Sequence, residues 1–504
     1  MANETPDAEP SPSVGLKPDA IGFLDALVIG LNATYPAYSV AAAIGPLVAL
    51  VGIHAPGVLL ASFVPMLLIA SAFYHLNKAD QDCGTTFSWA TRVLGPWAGW
   101  LGGWAIAMTG VLVIGSLADV AVTFGLLAFG LDSWADDDAL RRLLTVLLIV
   151  VMTAVCVIGT EVSAKVQSVL ILAQVVCLLA FAVVALYRVY ADTGTLDSVE
   201  PSIGWLDPFG AGGASLTAAL LLGVFLYWGW ESAVNLTEEV EDSATAPGKA
   251  AVWPTVILLV TYVAVGFAVV ACAGTAYLAE NAAEEEFIFA LLADEAMGGW
   301  HWVVLLAVST STLASTQTTI IPASRTALSM ARRHALPAHF ARINPPFRTP
   351  DVSTWWVAAI AIAWYLVVSE ISSNALFDSL TALSLLIAFY YALTGVACAV
   401  YYRRHLTRSV HHFVLIGLGP LVGAGLLTWL LVESVIDMSD PANSYSGDSW
   451  LGLGPPLVIG VGIAVAGVIL MIVWRLRAPA FWSEHPGVVD PALVDGEASG
   501  RTKS

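Results

Sequence analysis

The sequence predicts an all-α, polytopic membrane protein. Twelve transmembrane helices form a 5+5 inverted repeat with broken first and sixth helices, plus two extra helices. Three observations carry that expectation. Of 504 residues, 58% are hydrophobic and 12% charged, against roughly 25% charged in soluble chains. Apolar stretches of about 20 residues, the length that crosses a bilayer, recur along the chain. Two of them, five spans apart, are interrupted at nearly the same depth.

In chain order, residues 1–19 are polar, acidic and rich in Pro and Ser, and read as a disordered cytoplasmic tail. The first five-helix repeat covers 20–190, with spans at 20–53, 55–76, 97–130, 141–159 and 163–190. The second covers 215–402, with spans at 215–237, 249–275, 299–332, 353–371 and 374–402. Helices eleven and twelve fall at 411–433 and 453–475, inside 411–475, and 478–504 is a C-terminal tail. Of 20 Lys and Arg residues, only Arg141, Arg142 and Arg188 fall on the outer side. The positive-inside rule therefore places both termini in the cytoplasm, and the expected location is the cytoplasmic membrane. Because five spans separate the interruptions, the second repeat crosses in the opposite direction to the first, as in secondary transporters with paired broken helices.

The net charge of −19 fits either a halophile's solvated surface or ordinary acidic outer loops. No basic patch exists, so nucleic acid is excluded as a partner; the expected partners are the lipid bilayer and a small molecule. The five cysteines are isolated, mostly in apolar segments, and read as small core residues. There is no H-E-x-x-H, no G-x-S-x-G and no clustered metal-ligand set, so an enzyme is not expected.

The first interruption is "GLNATYPAYS", residues 30–39. Pro36 cannot bond the carbonyl of Asn32 and disfavours helix at Tyr35. Thr34 suits an N-cap. The expected half-helices end near Ala33 and begin again near Tyr35. Carbonyls of residues 30–33 and amides around Ala37, Tyr38 and Ser39 would then be left over, offering an ammonium or Na+ site beside a carboxylate site. A packed proline kink is the plainer alternative.

In the sixth span, "FLYWGWESAVN", Gly229 weakens the helix between Trp228 and Trp230. Carbonyls of Phe225, Leu226 and Tyr227 would complete an ammonium cradle, with Trp228 covering the substrate; ordinary aromatic packing is the alternative. Glu231 is an ionisable group at membrane depth. It is either a proton carrier or a carboxyl bonding a neighbouring helix. Glu238, Glu239, Glu241 and Asp242 read as a solvated rim. In "STSTLASTQTT", Ser311 and Ser315 share a helix face. They are candidates for a Na+ site or for hydroxyl packing between helices.

With those residues in view, the chain resembles the amino acid–polyamine–organocation superfamily of permeases, which adopts the LeuT fold. The most specific stretch is "ASRTALSMARRHALPAHFARINPPFRTP", residues 323–350, followed by "GWESAVNLTEEVEDSATAPGKAA" and "GTTFSWATRVLGPWAGWLGGW". The resemblance implies an alternating-access carrier whose broken helices hold the amino and carboxyl groups of a substrate. It places Ser39 at the carboxylate position, although "NATYPAYS" replaces the usual glycine-rich motif. Gln174 stands nearest to the place where some proton-coupled members carry a lysine. The expected function is transport of amino acids or related amines, by Na+ or H+ coupled symport or by exchange, with no cofactor beyond that ion. A sensor, a channel-like protein or a polyamine carrier on the same fold are the alternatives.

Overall fold

The computed structural model describes residues 15–484, apart from 194–195, 197, 212, 281–290, 293–295, 372 and 445. Residues 1–14 and 485–504 of the two expected tails lie outside the described residues. Residues 15–19 and 478–484 do not behave as tail. Leu16 is buried against Cys83 and Leu328, and Phe481 is buried against Phe87.

The described chain is almost wholly helical; its only extended pairings are isolated bridges, one of them between Ile21 and Val240. Among the described residues, eleven helical stretches are long and apolar enough to cross a membrane. The first, Phe23–Ala79, is 57 residues long, about three times the length that one crossing needs, and contains the first two expected spans. The elements are α1 (Phe23–Asn32), α2 (Pro36–Val51), α3 (Ala55–Ala79), α4 (Thr86–Leu94) and α5 (Pro96–Ala128). Then come α6 (Asp138–Ile158), α7 (Thr160–Tyr190), α8 (Gly213–Leu226), α9 (Ala246–Glu280) and α10 (His301–Arg332). The last are α11 (Asp351–Ile371), α12 (Ser373–Tyr401), α13 (Gly419–Asp437), α14 (Pro455–Arg477) and the short α15 (Pro479–Trp482).

Two crossings are split. The first is α1 plus α2. The sixth is α8 followed by a 3-10 segment, Trp230–Leu236. Both lie at the centre: α1 packs on α9, α7 and the 3-10 segment, and α2 packs on α8 and α9. The long α5 and α10 run alongside each other as the main brace. The largest apolar core holds Tyr35, Tyr38, Tyr227, Trp228, Trp230, Tyr390 and Tyr391, so aromatic residues of both interruptions are part of the central packing. Helices α13 and α14 stand outside the repeats and show mostly apolar side chains on their outer faces, such as Val461, Val465 and Ile469. That surface suits lipid.

Candidate functional site at the two helix breaks

In the first crossing, α1 ends at Asn32 and α2 starts at Pro36, within a residue or so of the boundaries expected from Pro36. The cap differs from expectation. The Thr34 hydroxyl turns back and donates to the Leu31 carbonyl at 2.6 Å. Tyr35 takes the N-cap position, with φ +38° and ψ +59°. A bulky residue in this left-handed region is destabilised by roughly 1–2 kcal/mol. Its hydroxyl is fully buried and has no hydrogen-bond partner among the described residues, which costs roughly another 1–3 kcal/mol. The ring rests on Tyr38 at 5.7 Å, Phe225 at 6.1 Å and Trp228 at 6.2 Å between centroids.

Much of the loosened main chain is satisfied within the break. The amide of Tyr35 donates to the Asn32 carbonyl at 3.0 Å, and that of Ser39 donates to the Tyr35 carbonyl at 2.8 Å. The Ser39 hydroxyl donates to the Thr34 carbonyl at 3.0 Å. Ser39 therefore braces the break, and neither its amide nor its hydroxyl waits for a carboxylate, as the sequence had suggested. The Ala37 amide takes no main-chain partner among the described residues. The carbonyl of Ala33 faces the second break. A Cβ built on Gly229 would lie 2.1 Å from the Ala33 oxygen, and Gly229 has φ +118°. Only glycine allows that conformation and that approach together. The two interruptions thus touch.

Asn32 is held from the side, its Nδ2 donating to the Gln167 carbonyl on α7 at 3.1 Å. Gln167 Nε2 donates in turn to Gln317 Oε1 on α10 at 2.9 Å. The hydroxyl of Ser315 lies 2.5 Å from the Asn32 carbonyl and 2.8 Å from that of Ser311. Ser311 Oγ is buried and has no partner among the described residues. Of the hydroxyl pair chosen from sequence, Ser315 therefore reaches the break. Gln174 is buried, with both amide atoms unpartnered among the described residues; the hydrogen bonds from α7 to the break come from Gln167.

At the second break, the carbonyl of Phe225 accepts from the Trp228 amide at 3.1 Å. That of Leu226 accepts from the Tyr262 hydroxyl at 3.0 Å. Neither is left over, so the expected three-carbonyl cradle narrows toward Tyr227, whose own hydroxyl donates to the Leu59 carbonyl at 3.1 Å. Trp228 lends its indole N–H to Glu231 Oε1 at 3.1 Å and to the Tyr390 oxygen at 2.5 Å. Glu231 is 3% exposed. Its Oε1 also accepts from the Tyr390 hydroxyl, and its Oε2 from the Tyr391 hydroxyl at 2.5 Å. Three aromatic donors thus converge on one carboxyl and tie the sixth crossing to α12.

The surroundings are unequal along the bundle axis. On the side where α2 ends and α8 begins, a cavity of about 540 Å³ descends to Tyr38 and Phe225, with Leu50 and Leu221 on its walls. On the side where α1 begins, the chain is closed. Amides of Ala20 and Ile21 donate to the Glu239 carbonyl at 2.8 and 3.2 Å. Arg325 and Glu239 form an ion pair at 2.9 Å with side chains 0% and 1% exposed. Glu238 pairs with Arg332 at 2.8 Å. The solvated rim expected from sequence is corrected here: Glu238 and Glu239 are structural, because Arg325 and Arg332, some ninety residues downstream, fold against them.

Two opposed broken helices meeting beneath a cavity, with the opposite end closed, define the working parts of a membrane carrier. The chain matches the amino acid permease family model over residues 21–473, and it belongs to that family. An uncharacterized transporter of Mycobacterium tuberculosis is 29% identical over 467 residues, 91% of this chain and 92% of that protein. A methylthioribose transporter of Bacillus subtilis is 23% identical over 380 residues, covering 72% and 77%. A vacuolar cationic amino acid transporter of Arabidopsis thaliana is 26% identical over 332 residues, covering 63% and 54%. Among solved structures, MhsT in complex with L-phenylalanine superposes with a TM-score of 0.56 at 13% identity, over 83% of this chain and all of that one. That likeness establishes the LeuT fold. The protein is a multi-pass membrane transporter of a small molecule.

Proposed function

We propose that the chain moves amino acids or related amines across the cytoplasmic membrane by alternating access. The observation that carries this reading is the meeting of the two interruptions at Ala33 and Gly229, below the cavity floor of Tyr38 and Phe225. An amino group is drawn to the Ala33 carbonyl and the aromatic faces of Tyr35 and Trp228. A carboxylate is drawn to the first turn of α2, where the Ala37 amide is left over. The family and the name of the Arabidopsis relative support a nitrogenous cargo, while the methylthioribose transporter keeps a sugar derivative within the range to be tested.

The closed face is the cytoplasmic one in this reading, and both termini lie there, because the basic residues gather on that side. Two coupling routes have support. For Na+, the Ser315 hydroxyl lies beside the Asn32 and Ser311 carbonyls, all hard oxygen ligands, and the buried Ser311 hydroxyl has no partner among the described residues. For H+, Glu231 is a buried carboxyl at the second break, linked through Tyr390 and Tyr391 to α12.

The test is counterflow in proteoliposomes with a panel of amino acids, polyamines and methylthioribose, repeated without Na+ and with the pH gradient collapsed. Accumulation of labelled amino acid or amine against its gradient is the expected result. Binding without flux, or uptake of methylthioribose alone, would overturn the assignment.

A further inference from the structure

The cavity above the breaks carries a charge pattern of its own. Among its described lining residues there is one carboxylate, Asp437, and no Lys, Arg or His. Asp437 is the last residue of α13, outside both repeats. Asn443 Nδ2 donates to Asp437 Oδ1 and to the Asp437 carbonyl, each at 3.1 Å. One carboxylate oxygen is thereby held, and the other is not in that bond. Thr381 and Ser384 of α12 supply further polar groups on the wall. Below them the lining is apolar and aromatic down to Tyr38 and Phe225. The basic side chains Arg141 and Arg142, assigned to the same outer side by the count of charges, are engaged elsewhere. Arg141 pairs with Asp119 and Asp138, and Arg142 with Glu370.

The geometry points to an entry subsite for an organic cation, anchored by Asp437 before the cargo reaches the breaks. The ligand class is an ammonium or guanidinium on an apolar body. A carboxylate beside an apolar cavity attracts a cationic head more strongly than it does in open water, since the cavity wall excludes solvent on one side. The apolar wall then takes the carbon chain, and the faces of Tyr38 and Phe225 favour the charge on its way down. A neutral zwitterion gains less, because its own carboxylate is repelled as its ammonium is attracted. This inference rests on the carrier reading and gives cargo of net positive charge the advantage over neutral zwitterions.

The experiment compares L-lysine, putrescine and L-leucine as probes for the full chain in proteoliposomes, wild type against Asp437→Asn and Asp437→Glu. Asp437→Asn is expected to raise KM for lysine and putrescine about fivefold, as a partly exposed charge contact would. It should leave kcat and the leucine KM within about twofold, and Asp437→Glu should keep the wild-type preference. Raised salt should weaken wild-type cation uptake and leave Asp437→Asn nearly flat. An Asp437→Asn variant with unchanged lysine and putrescine KM, or with an equal rise for leucine, overturns the subsite. Equilibrium binding of the same probes to the detergent-solubilised chain separates the two levels. Cation binding that weakens in Asp437→Asn without any flux upholds the subsite and defeats the carrier reading, whereas flux without charge preference does the reverse.

Discussion

The two interruptions meet the same main-chain problem with different chemistry. In the first crossing, small polar side chains close the break: Thr34 caps Leu31 and Ser39 caps Thr34 within it, and Ser315 reaches in from α10 to Asn32. In the sixth, the Tyr262 hydroxyl takes up the Leu226 carbonyl. Bulky side chains gather there on a carboxyl, with Trp228 from the break itself and Tyr390 and Tyr391 from α12 all aimed at Glu231. Short hydroxyls make a compact hinge that changes little with pH. A carboxyl held by aromatic donors makes a junction whose bonding changes when a proton arrives, since a protonated oxygen becomes a donor itself. The first break is therefore suited to setting geometry and the second to sensing charge.

The largest expected effect tests their contact. Gly229→Ala places a methyl group on the Ala33 carbonyl at a φ that alanine avoids, and should destabilise the chain by at least about 3 kcal/mol. A lowered melting temperature in detergent and uptake reduced to under about a tenth are expected. Near wild-type behaviour would mean the two breaks do not need to touch.

Next is Glu231→Gln. The amide cannot accept on its nitrogen, so one of the three donors is stranded, at roughly 1–3 kcal/mol. Gradient-driven uptake should fall more than equal exchange. An equal loss of both would remove Glu231 from coupling and leave it a packing group.

Tyr35→Phe has two effects of opposite sign. Removing an unpartnered buried hydroxyl should stabilise the empty protein by about 1 kcal/mol. If cargo is the missing partner, binding should weaken by a similar amount, about five- to tenfold in Kd. A melting curve and a binding titration on the same sample read both signs; stabilisation without loss of affinity would assign the ring, and not the hydroxyl, to the site.

The smallest change is Ser315→Ala, alone and with Ser311→Ala. Loss of one hydroxyl bond should lower stability by about 1 kcal/mol and flatten the response of uptake to Na+. A full Na+ response in the double variant would return these residues to helix packing.

Much of this was legible in the sequence, because proline and glycine act locally. Pro36 placed the first break within about a residue, and Gly229 marked the second. Span positions follow from hydrophobic length alone. What escaped depends on contacts across the chain. Tyr390 and Tyr391 lie about 160 residues from Glu231, and "FYYAL" reads as an apolar run. Two adjacent tyrosines at membrane depth did carry a usable signal, since a buried hydroxyl needs a partner. Glu239 looked like one more acid at a helix end, because nothing local distinguishes it from Glu241; only the arrival of Arg325 makes it interior. Thr34 was expected to cap α2 and Ser39 to hold a carboxylate, but their reach is short and the nearest carbonyls belong to the break itself.

The Arg325–Glu239 pair has a consequence for turnover. Two opposite charges pulled apart without solvent lose far more attraction than two separated in water. The helices that carry them cannot simply slide apart while the gap stays dry; water has to arrive as they separate, hydrating each ion as its partner leaves. In the proposed carrier, opening at that end is then a wetting event, and solutes that withdraw water should slow uptake even when they leave the cavity above the breaks undisturbed.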